Sequence, residues 1–511
     1  MNATTIDSIS TIGRRGQIAT TIVAGLSAMM MTLDATVVNI ALEAIGTEFS
    51  ATLSQLQWVV NGYTLAFAAL LLSAGSLSDR LGRRGTFLIG MVVFTISSAV
   101  CSFAPSAEWL IAARIVQGLG GALVMGTGLA LIAGAYEGDG PKKRQTAIGV
   151  FTGLGAAAAA LGPLVGGALV DTGGWRLIFL INIPIGILII IGALTLVKRQ
   201  PLTAGGRLDL AGAALAVLVL FSLNYGLLTG SSESWQRGDV IATLVAAGVL
   251  LVVFLILEAK LGAHAMLDLS LFRIPTFSGA IILSFAARLT SFGLFPFLIL
   301  WLTGVLGHTP LEVGLILLVL SAAMLVVAPF SGMFTRWVPV RVLCFLGMAV
   351  IGAGLIWASA LIDPESGWTA ILPGLILIGI GSGIVMPHMM GLAVAVAPAE
   401  RAGMASGMSN SFFPIGTALG VAVYGAIMTA TIGARITDPD AAAAVAAGRI
   451  DELAASLTAG AEFAATARDA FVSGLGTTLL IAGIASLVSA VAALILIRAR
   501  DVLDTREHVE S

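Results

Sequence analysis

Charge is scarce in this chain: only 11% of its 511 residues are Asp, Glu, Lys or Arg, and 58% are hydrophobic. Soluble domains carry about 25% charged residues, so one aqueous core cannot absorb this apolar content. Cysteine is nearly absent. Cys101 and Cys344 both lie inside apolar runs, which argues against a disulfide framework or a thiolate metal site. The four histidines, His264, His308, His388 and His508, are scattered, without metal-ligand spacing. No basic excess exists, the net charge being −2, so nothing points to nucleic acid. No Gly-rich loop ending in Gly-Lys-Ser/Thr occurs, which argues against ATP as direct energy source. No Ser/His/Asp constellation suggests an intramembrane enzyme, and no enzymatic activity is expected.

What the chain does have is long apolar runs, and its mean hydropathy is +1.02. About 20 apolar residues in a helix cross a hydrocarbon core of about 30 Å. Runs of this kind predict fourteen spans, at 18–42, 54–77, 85–104, 107–132, 145–171, 176–197, 209–229, 239–259, 277–304, 311–333, 341–361, 369–393, 403–431 and 472–498. The expected fold class is therefore an all-α polytopic membrane protein. The runs are continuous rather than alternating, which excludes a β-barrel. The first is too long for the core of a cleaved leader and reads as a retained helix.

An even number of spans puts both termini on one side. With that side inside, nineteen of the 26 Lys and Arg residues fall in the cytoplasm. Five (Arg176, Arg237, Arg435, Arg449, Arg468) fall outside, and two, Arg114 and Arg288, lie within spans. This asymmetry makes both termini cytoplasmic. The organisation expected is a tail at 1–17, a six-helix half at 18–197, two extra helices with linkers at 198–275, a second six-helix half at 276–498, and a tail at 499–511. The long excursion at 432–471 is Ala-rich with interspersed charges, which reads first as a solvated helical excursion and second as an amphipathic helix on the outer surface. A faint repeat relates Gly75–Arg84 to Gly332–Arg341, with Arg336 where the first copy has Asp79. Paired halves with a site between them are a common transporter design.

Several polar residues interrupt the spans. Asp34 is the one carboxylate well inside an apolar segment of the first half, and a carboxylate withdrawn from water is a candidate proton carrier. Its alternative is a structural hydrogen bond to a neighbouring helix. Arg114 and Gln117 share a helix face at i and i+3. An arginine in lipid is costly and a functional candidate, unless it snorkels from the helix end. Asn39, Gln57, Asn61 and Tyr63 are polar positions that can reach a central cavity or bond between helices. Arg288 interrupts the ninth span and has three readings: stabilising an anionic substrate, pairing with Asp34, or packing against another carboxylate. His388, beside Pro387, reads first as a satisfied structural histidine and second as a cavity group. Asn410, between Ser409 and Ser411, is another cavity candidate. The tenth span carries only Glu312, at its outer edge.

Four strings carry a family resemblance. The first is Gly75-Ser-Leu-Ser-Asp79-Arg80-Leu-Gly82-Arg83-Arg84, expected as a tight loop between the second and third spans. The second is Arg114-Ile-Val-Gln117-Gly118. The third is Gly162-Pro163-Leu-Val-Gly166-Gly167, and the fourth is Leu33-Asp34-Ala-Thr36-Val-Val-Asn39-Ile-Ala-Leu42. Together with the runs from Trp58 and from Trp175 to Gly186, they resemble the major facilitator superfamily and its fourteen-helix drug/proton antiporter branch. Gly85, Ala158 and Glu43 depart from that pattern. The resemblance implies two six-helix halves plus two central helices, in the cytoplasmic membrane of a bacterium. It implies a monomer that exports small lipophilic drugs, taking energy from protons and using no cofactor. It assigns proton coupling to Asp34 and Arg114. Gly75, Asp79, Arg80, Gly82, Arg83 and Arg84 become a gating loop whose Asp79 meets the helix start near Gly403. Gly162, Pro163, Gly166 and Gly167 become the antiporter motif. A substrate that is monovalent and cationic, neutral or zwitterionic is implied over a dication. The same fold would also serve a dedicated exporter of one natural product, lipid or siderophore.

Overall fold

The computed structural model describes residues 13–136, 141–198, 209–232, 235–262, 265, 267, 269–397, 402–456, 460–498 and 501; within its helices a few side chains, among them those of Asp79 and Arg80, are not described. The described residues form helices and no strand. Thirteen helices are long and apolar enough to cross a membrane. Leu53–Leu81, 29 residues long, is a further long helix outside that set. In chain order the long helices are α1 (Arg14–Ile40), α2 (Leu53–Leu81), α3 (Arg83–Ser102), α4 (Ala107–Ala135), α5 (Pro141–Gly173), α6 (Leu177–Thr195) and α7 (Leu210–Ser232). They continue with α8 (Gly238–Leu261), α9 (Pro275–Val305), α10 (Pro310–Phe334), α11 (Val340–Leu361), α12 (Leu372–Ala395), α13 (Ala402–Gly433) and α14 (Gly460–Leu496).

Helices suit an apolar solvent because each satisfies its own backbone polar groups. Their ends are finished by side chains. Thr52 and Gln55 form a reciprocal capping box on α2, and Thr309 and Glu312 form another on α10. Glycines then let backbones approach. A Cβ on Gly118 of α4 would stand 2.3 Å from the Tyr63 carbonyl of α2, and one on Gly126 would stand 2.6 Å from Ala74. Thus α2 and α4 touch along their length. Apolar side chains cover the outside, as on α8, where Val245, Val249, Val252 and Ile256 are exposed.

Between α2 and α3 the expected loop is a single residue. Helix α2 runs to Leu81, Gly82 takes φ +86°, and α3 starts at Arg83. A left-handed φ with no Cβ to clash is what so abrupt a reversal requires. The last helix begins at Gly460 rather than 472. What precedes it is not one amphipathic surface helix. Two short helices, Pro439–Ala446 and Ile450–Ser456, bury Val445 and Ile450 completely. The carbonyl of Gly448 between them lies 2.2 Å from where a Cβ on Gly304 would stand. The excursion thereby folds back onto α9.

Helices α1–α6 and α9–α14 form two groups, and α7 lies against α2 of the first and α13 of the second. The groups meet at the end of the bundle opposite the start of α1. There a Cβ on Gly167 of α5 would stand 2.3 Å from the Pro310 carbonyl, and one on Gly314 of α10 would stand 2.5 Å from the Pro163 carbonyl. Gln57 of α2 donates to the Val421 carbonyl of α13 at 3.1 Å. Toward the end where α1 starts, Gly149 and Gly153 of α5 and Gly332 of α10 have nothing within 4 Å of a Cβ position. Gly149 and Gly153 sit on the Pro163–Gly167 face at helical spacing, and Gly332 lies five turns from Gly314 on one face. The same two faces touch at one end and stand open at the other.

Candidate functional site

A buried polar cluster is built on Asp34. Its helix, α1, packs against α4 and α6, with α3 beyond. Arg114 Nη1 donates to Asp34 Oδ2 at 2.6 Å and to Gln117 Oε1 at 2.8 Å. Gln117 Nε2 donates to Asp34 Oδ1 at 3.0 Å, and Asn182 Nδ2 donates to the same oxygen at 2.8 Å. Ser98 Oγ accepts from Asn182 at 3.0 Å and from Gln117 at 3.2 Å, and donates to the Phe179 carbonyl at 3.1 Å. Arg114 Nε donates to the Val59 carbonyl at 3.2 Å. Its guanidinium carbon lies 4.2 Å from the Tyr63 ring centroid, on the negative face of the ring.

None of this is open to water: Asp34 and Arg114 are each 1% exposed. A buried ion pair recovers its desolvation cost only with good geometry and further hydrogen bonds. Asp34 has three donors, one of them a cation at 2.6 Å, and Arg114 has Asp34, Gln117, Val59 and Tyr63. One atom is left over: Asn182 Oδ1 is buried without a partner. Three helices, α1, α4 and α6, therefore meet at one carboxylate, with Ser98 of α3 joining its two amide donors and a spare acceptor on Asn182.

Arg114 does not snorkel; it turns inward to Asp34. Arg288 does not pair with Asp34, whose charge Arg114 occupies. Sequence reading placed Asp34, Arg114, Gln117 and Tyr63 as candidates but missed Ser98 and Asn182. The available signal was a lone amide in the apolar run from Leu177 to Leu196. Asn39 is elsewhere, bonded to the Ala35 and Thr36 carbonyls of its own helix at 3.3 Å each. Gln57 joins α2 to α13, and Asn61 Nδ2 donates to Asn224 Oδ1 of α7 at 2.9 Å. His388 Nε2 lies 2.8 Å from Ser331 Oγ, which also bonds the Ile384 carbonyl; this is the structural arrangement. Asn410 of α13 and Arg288 of α9 are partly exposed in mid-helix.

The glycines around Pro163 have two sets of neighbours. A Cβ on Gly162 would stand 2.0 Å from Thr36 Oγ1, and one on Gly166 would stand 3.1 Å from the Val37 Cα, so this face holds α1 two residues beyond Asp34. Pro163 and Gly167 meet Gly314 and Pro310 of α10. Helix α5 thus joins the Asp34 helix to the other half. At the α2–α3 reversal, Arg83 donates to the Ala130 carbonyl at 3.2 Å, and Arg84 donates to the carbonyls of Ala193 and Leu194 at the end of α6. Cations suit the negative end of a helix. The surroundings of Gly75 and Gly403 and the side chains of Asp79 and Arg80, on which the expected latch depends, are not among those described.

The family model described as Major Facilitator Superfamily matches residues 24–421. The multidrug resistance protein Stp of Mycobacterium tuberculosis is 36% identical over 423 residues, 83% of this chain and 78% of that protein. The tetracenomycin C resistance and export protein of Streptomyces glaucescens is 33% identical over 94% of this chain and 92% of its own. Among solved structures, a bacterial homolog of the human lysosomal transporter Spinster superposes with a TM-score of 0.68 at 18% identity, covering 96% of this chain and 98% of that one. A D-xylose–proton symporter superposes with a TM-score of 0.60 at 14% identity, covering 94% and 98%. With a family model spanning most of its length and relatives named for drug and antibiotic resistance, the chain belongs to the Major Facilitator Superfamily and is a multi-pass membrane transporter.

Proposed function

We propose that the protein exports small lipophilic drugs or antibiotics across a bacterial cytoplasmic membrane in exchange for protons, by alternating access. The observation that carries this reading is the buried Asp34–Arg114 pair and its amide partners. In this reading α2 is the fourteenth span, the end where α1 starts is cytoplasmic, and the splayed faces of α5 and α10 open toward the cytoplasm.

The chemistry runs through Asp34. As a carboxylate it holds α1 to α4 and α6 through charge-assisted bonds, which are the strong ones. A proton arriving on Asp34 removes the charge that Arg114 answers. The new O–H needs an acceptor, and Asn182 Oδ1 is at hand without a partner. Loosening α1 disturbs the contact of Thr36 and Val37 with Gly162 and Gly166. Helix α5 passes the change to α10 through Pro163 and Gly167. Drug and proton then occupy the transporter in alternate steps. Asp79 acts as a latch at the start of α13, where a helix N-terminus favours an anion. The transporter acts as a monomer and uses the proton gradient with no cofactor.

The test is transport by purified protein in liposomes under an imposed pH gradient, with ethidium as cargo. Wild type is expected to move ethidium only with the gradient present, and Asp34→Asn to lose that movement. Full gradient-driven transport by Asp34→Asn would remove Asp34 from the coupling path.

A second reading is a dedicated exporter of one compound. It draws on relatives named for single compounds, the tetracenomycin C exporter and a probable actinorhodin transporter of Streptomyces coelicolor, 34% identical over 80% of this chain. Such a protein would ignore most unrelated dyes and antibiotics in competition assays.

A further inference from the structure

Arg288 stands apart from the Asp34 cluster and from every contact described so far. It lies thirteen residues into α9, about 20 Å along the helix, and so near mid-span. Its guanidinium carbon is 4.0 Å from the ring centroid of Phe292 and 4.5 Å from that of Phe413 on α13. Among the described residues no carboxylate pairs with it, and its Nε is buried with no hydrogen-bond partner. Ser284, Ala287 and Thr290 on the same helix are buried, whereas Arg288, Leu289 and Phe292 are only partly so. Across from them Asn410 and Phe413 are also partly exposed.

A cation in mid-span with an unused donor is costly in lipid and is kept where it meets a partner or water. Both rings turn a π-face to the guanidinium and answer its charge in place of an acid. What they leave without a hydrogen-bond partner is Nε, on its edge. The edge formed by Nε and one Nη presents two parallel N–H groups, a geometry that matches a carboxylate side-on. Asn410, one turn before Phe413, can add an amide donor or acceptor. Flanking phenyl rings favour a flat apolar body next to the anion. A lysine would supply the charge but neither the fork nor the stacking.

We propose that Arg288, set against the rings of Phe292 and Phe413, is a binding subsite for the carboxylate of a flat aromatic substrate. This inference rests on the transport reading above and adds to its substrate class molecules that carry an anionic group on an aromatic skeleton.

The experiment compares two fluorescent probes with the same rings, anthracene-2-carboxylate and the neutral anthracene-2-methanol. Their binding to the purified full-length protein is followed by fluorescence anisotropy. Bonds to a charged group suggest a preference of about tenfold or more for the carboxylate. Arg288→Gln is expected to abolish that preference, Arg288→Lys to leave a reduced one, and Arg341→Gln, at an exposed arginine, to leave it whole. If Arg288→Gln does not fold, Arg288→Lys carries the test, and its preference must fall several-fold. Equal binding of both probes by wild type, or a preference untouched by the Arg288 variants, would overturn the proposal. Gradient-driven ethidium transport is measured on the same preparations. Ethidium transport without an Arg288-dependent carboxylate preference sinks this inference and spares drug export. The preference without ethidium transport does the reverse.

Discussion

Thr36 of α1 fills the notch left by the missing side chain of Gly162 on α5, so closely that a Cβ there would stand 2.0 Å from Thr36 Oγ1 and 2.7 Å from its Cβ. Two residues away on α1 is Asp34, and one residue away on α5 is Pro163, which touches α10. This short chain of contacts links the buried carboxylate to the seam between the halves.

Gly162→Ala is therefore expected to force α1 and α5 apart. Overpacking of this kind costs about 1–3 kcal/mol, read as a lower melting temperature of the purified protein, with a severe loss of transport. Adding Thr36→Ala removes the hydroxyl but not the Cβ. It should restore part of both. Unchanged stability in the single variant would mean that the helices can separate freely.

Removing one partner of the buried pair should cost more than removing both. Arg114→Gln leaves the Asp34 carboxylate uncompensated, a loss of about 3–5 kcal/mol. Asp34→Asn together with Arg114→Gln leaves two neutral amides among Gln117, Asn182 and Ser98. A double-mutant cycle on unfolding stability is expected to show strong coupling. Additive losses would contradict the pairing.

Asn182→Ala removes one of three donors to Asp34 and the spare acceptor beside it. An unmet bond of a buried charged group costs about 1–3 kcal/mol. Transport in liposomes is expected to slow, and Asn182→Ser, which keeps a short donor and acceptor, to recover a portion. A wild-type rate in Asn182→Ala would exclude this residue from proton handling.

The splay of α5 and α10 predicts accessibility. Cys101 and Cys344 are both buried, so single cysteines can be added to the wild-type background. Gly153→Cys and Gly332→Cys are expected to react with a membrane-impermeant maleimide from the cytoplasmic side and far more slowly from the other. Equal labelling from both sides would contradict the proposed orientation.

One surface pair should respond to pH. Glu48, in the short helix Leu42–Phe49, bonds Arg176 and the Trp175 indole at 2.7 Å each. Arg176, with Trp175, holds its carboxyl below the usual 4.5. A lowered folded-state value means stability that is present above the unfolded value and lost as pH falls through the folded one. The contribution is small, since the pair is solvent-screened. The melting-temperature gap between wild type and Glu48→Gln should be present at neutral pH and close in acid below about pH 4. A gap that widened in acid would reverse the sign.

Much of this was legible without coordinates, because it is local. Apolar runs of span length need nothing beyond the chain to be read as helices, and a lone Asp34 or Arg114 in such a run announces its own cost. Gly82 could be singled out as the turning residue, although the reversal proved shorter than expected. The excursion after α13 misled, because its charges hinted at a free surface while Val445 and Ile450 were destined for burial.

What only the tertiary structure decided is partnership. Asp34 meets Arg114 across 80 residues and Asn182 across 148, and no periodicity within either segment encodes such a distance. Gln57 and Asn61 looked equally able to face a cavity and were claimed instead by α13 and α7. Arg288 found rings rather than an acid. The sequence by itself determined which segments enter the membrane and which polar residues enter with them, since transfer from water depends on composition. Which of those residues answer one another depends on how helices pack, and packing is settled by contacts between segments far apart in the chain.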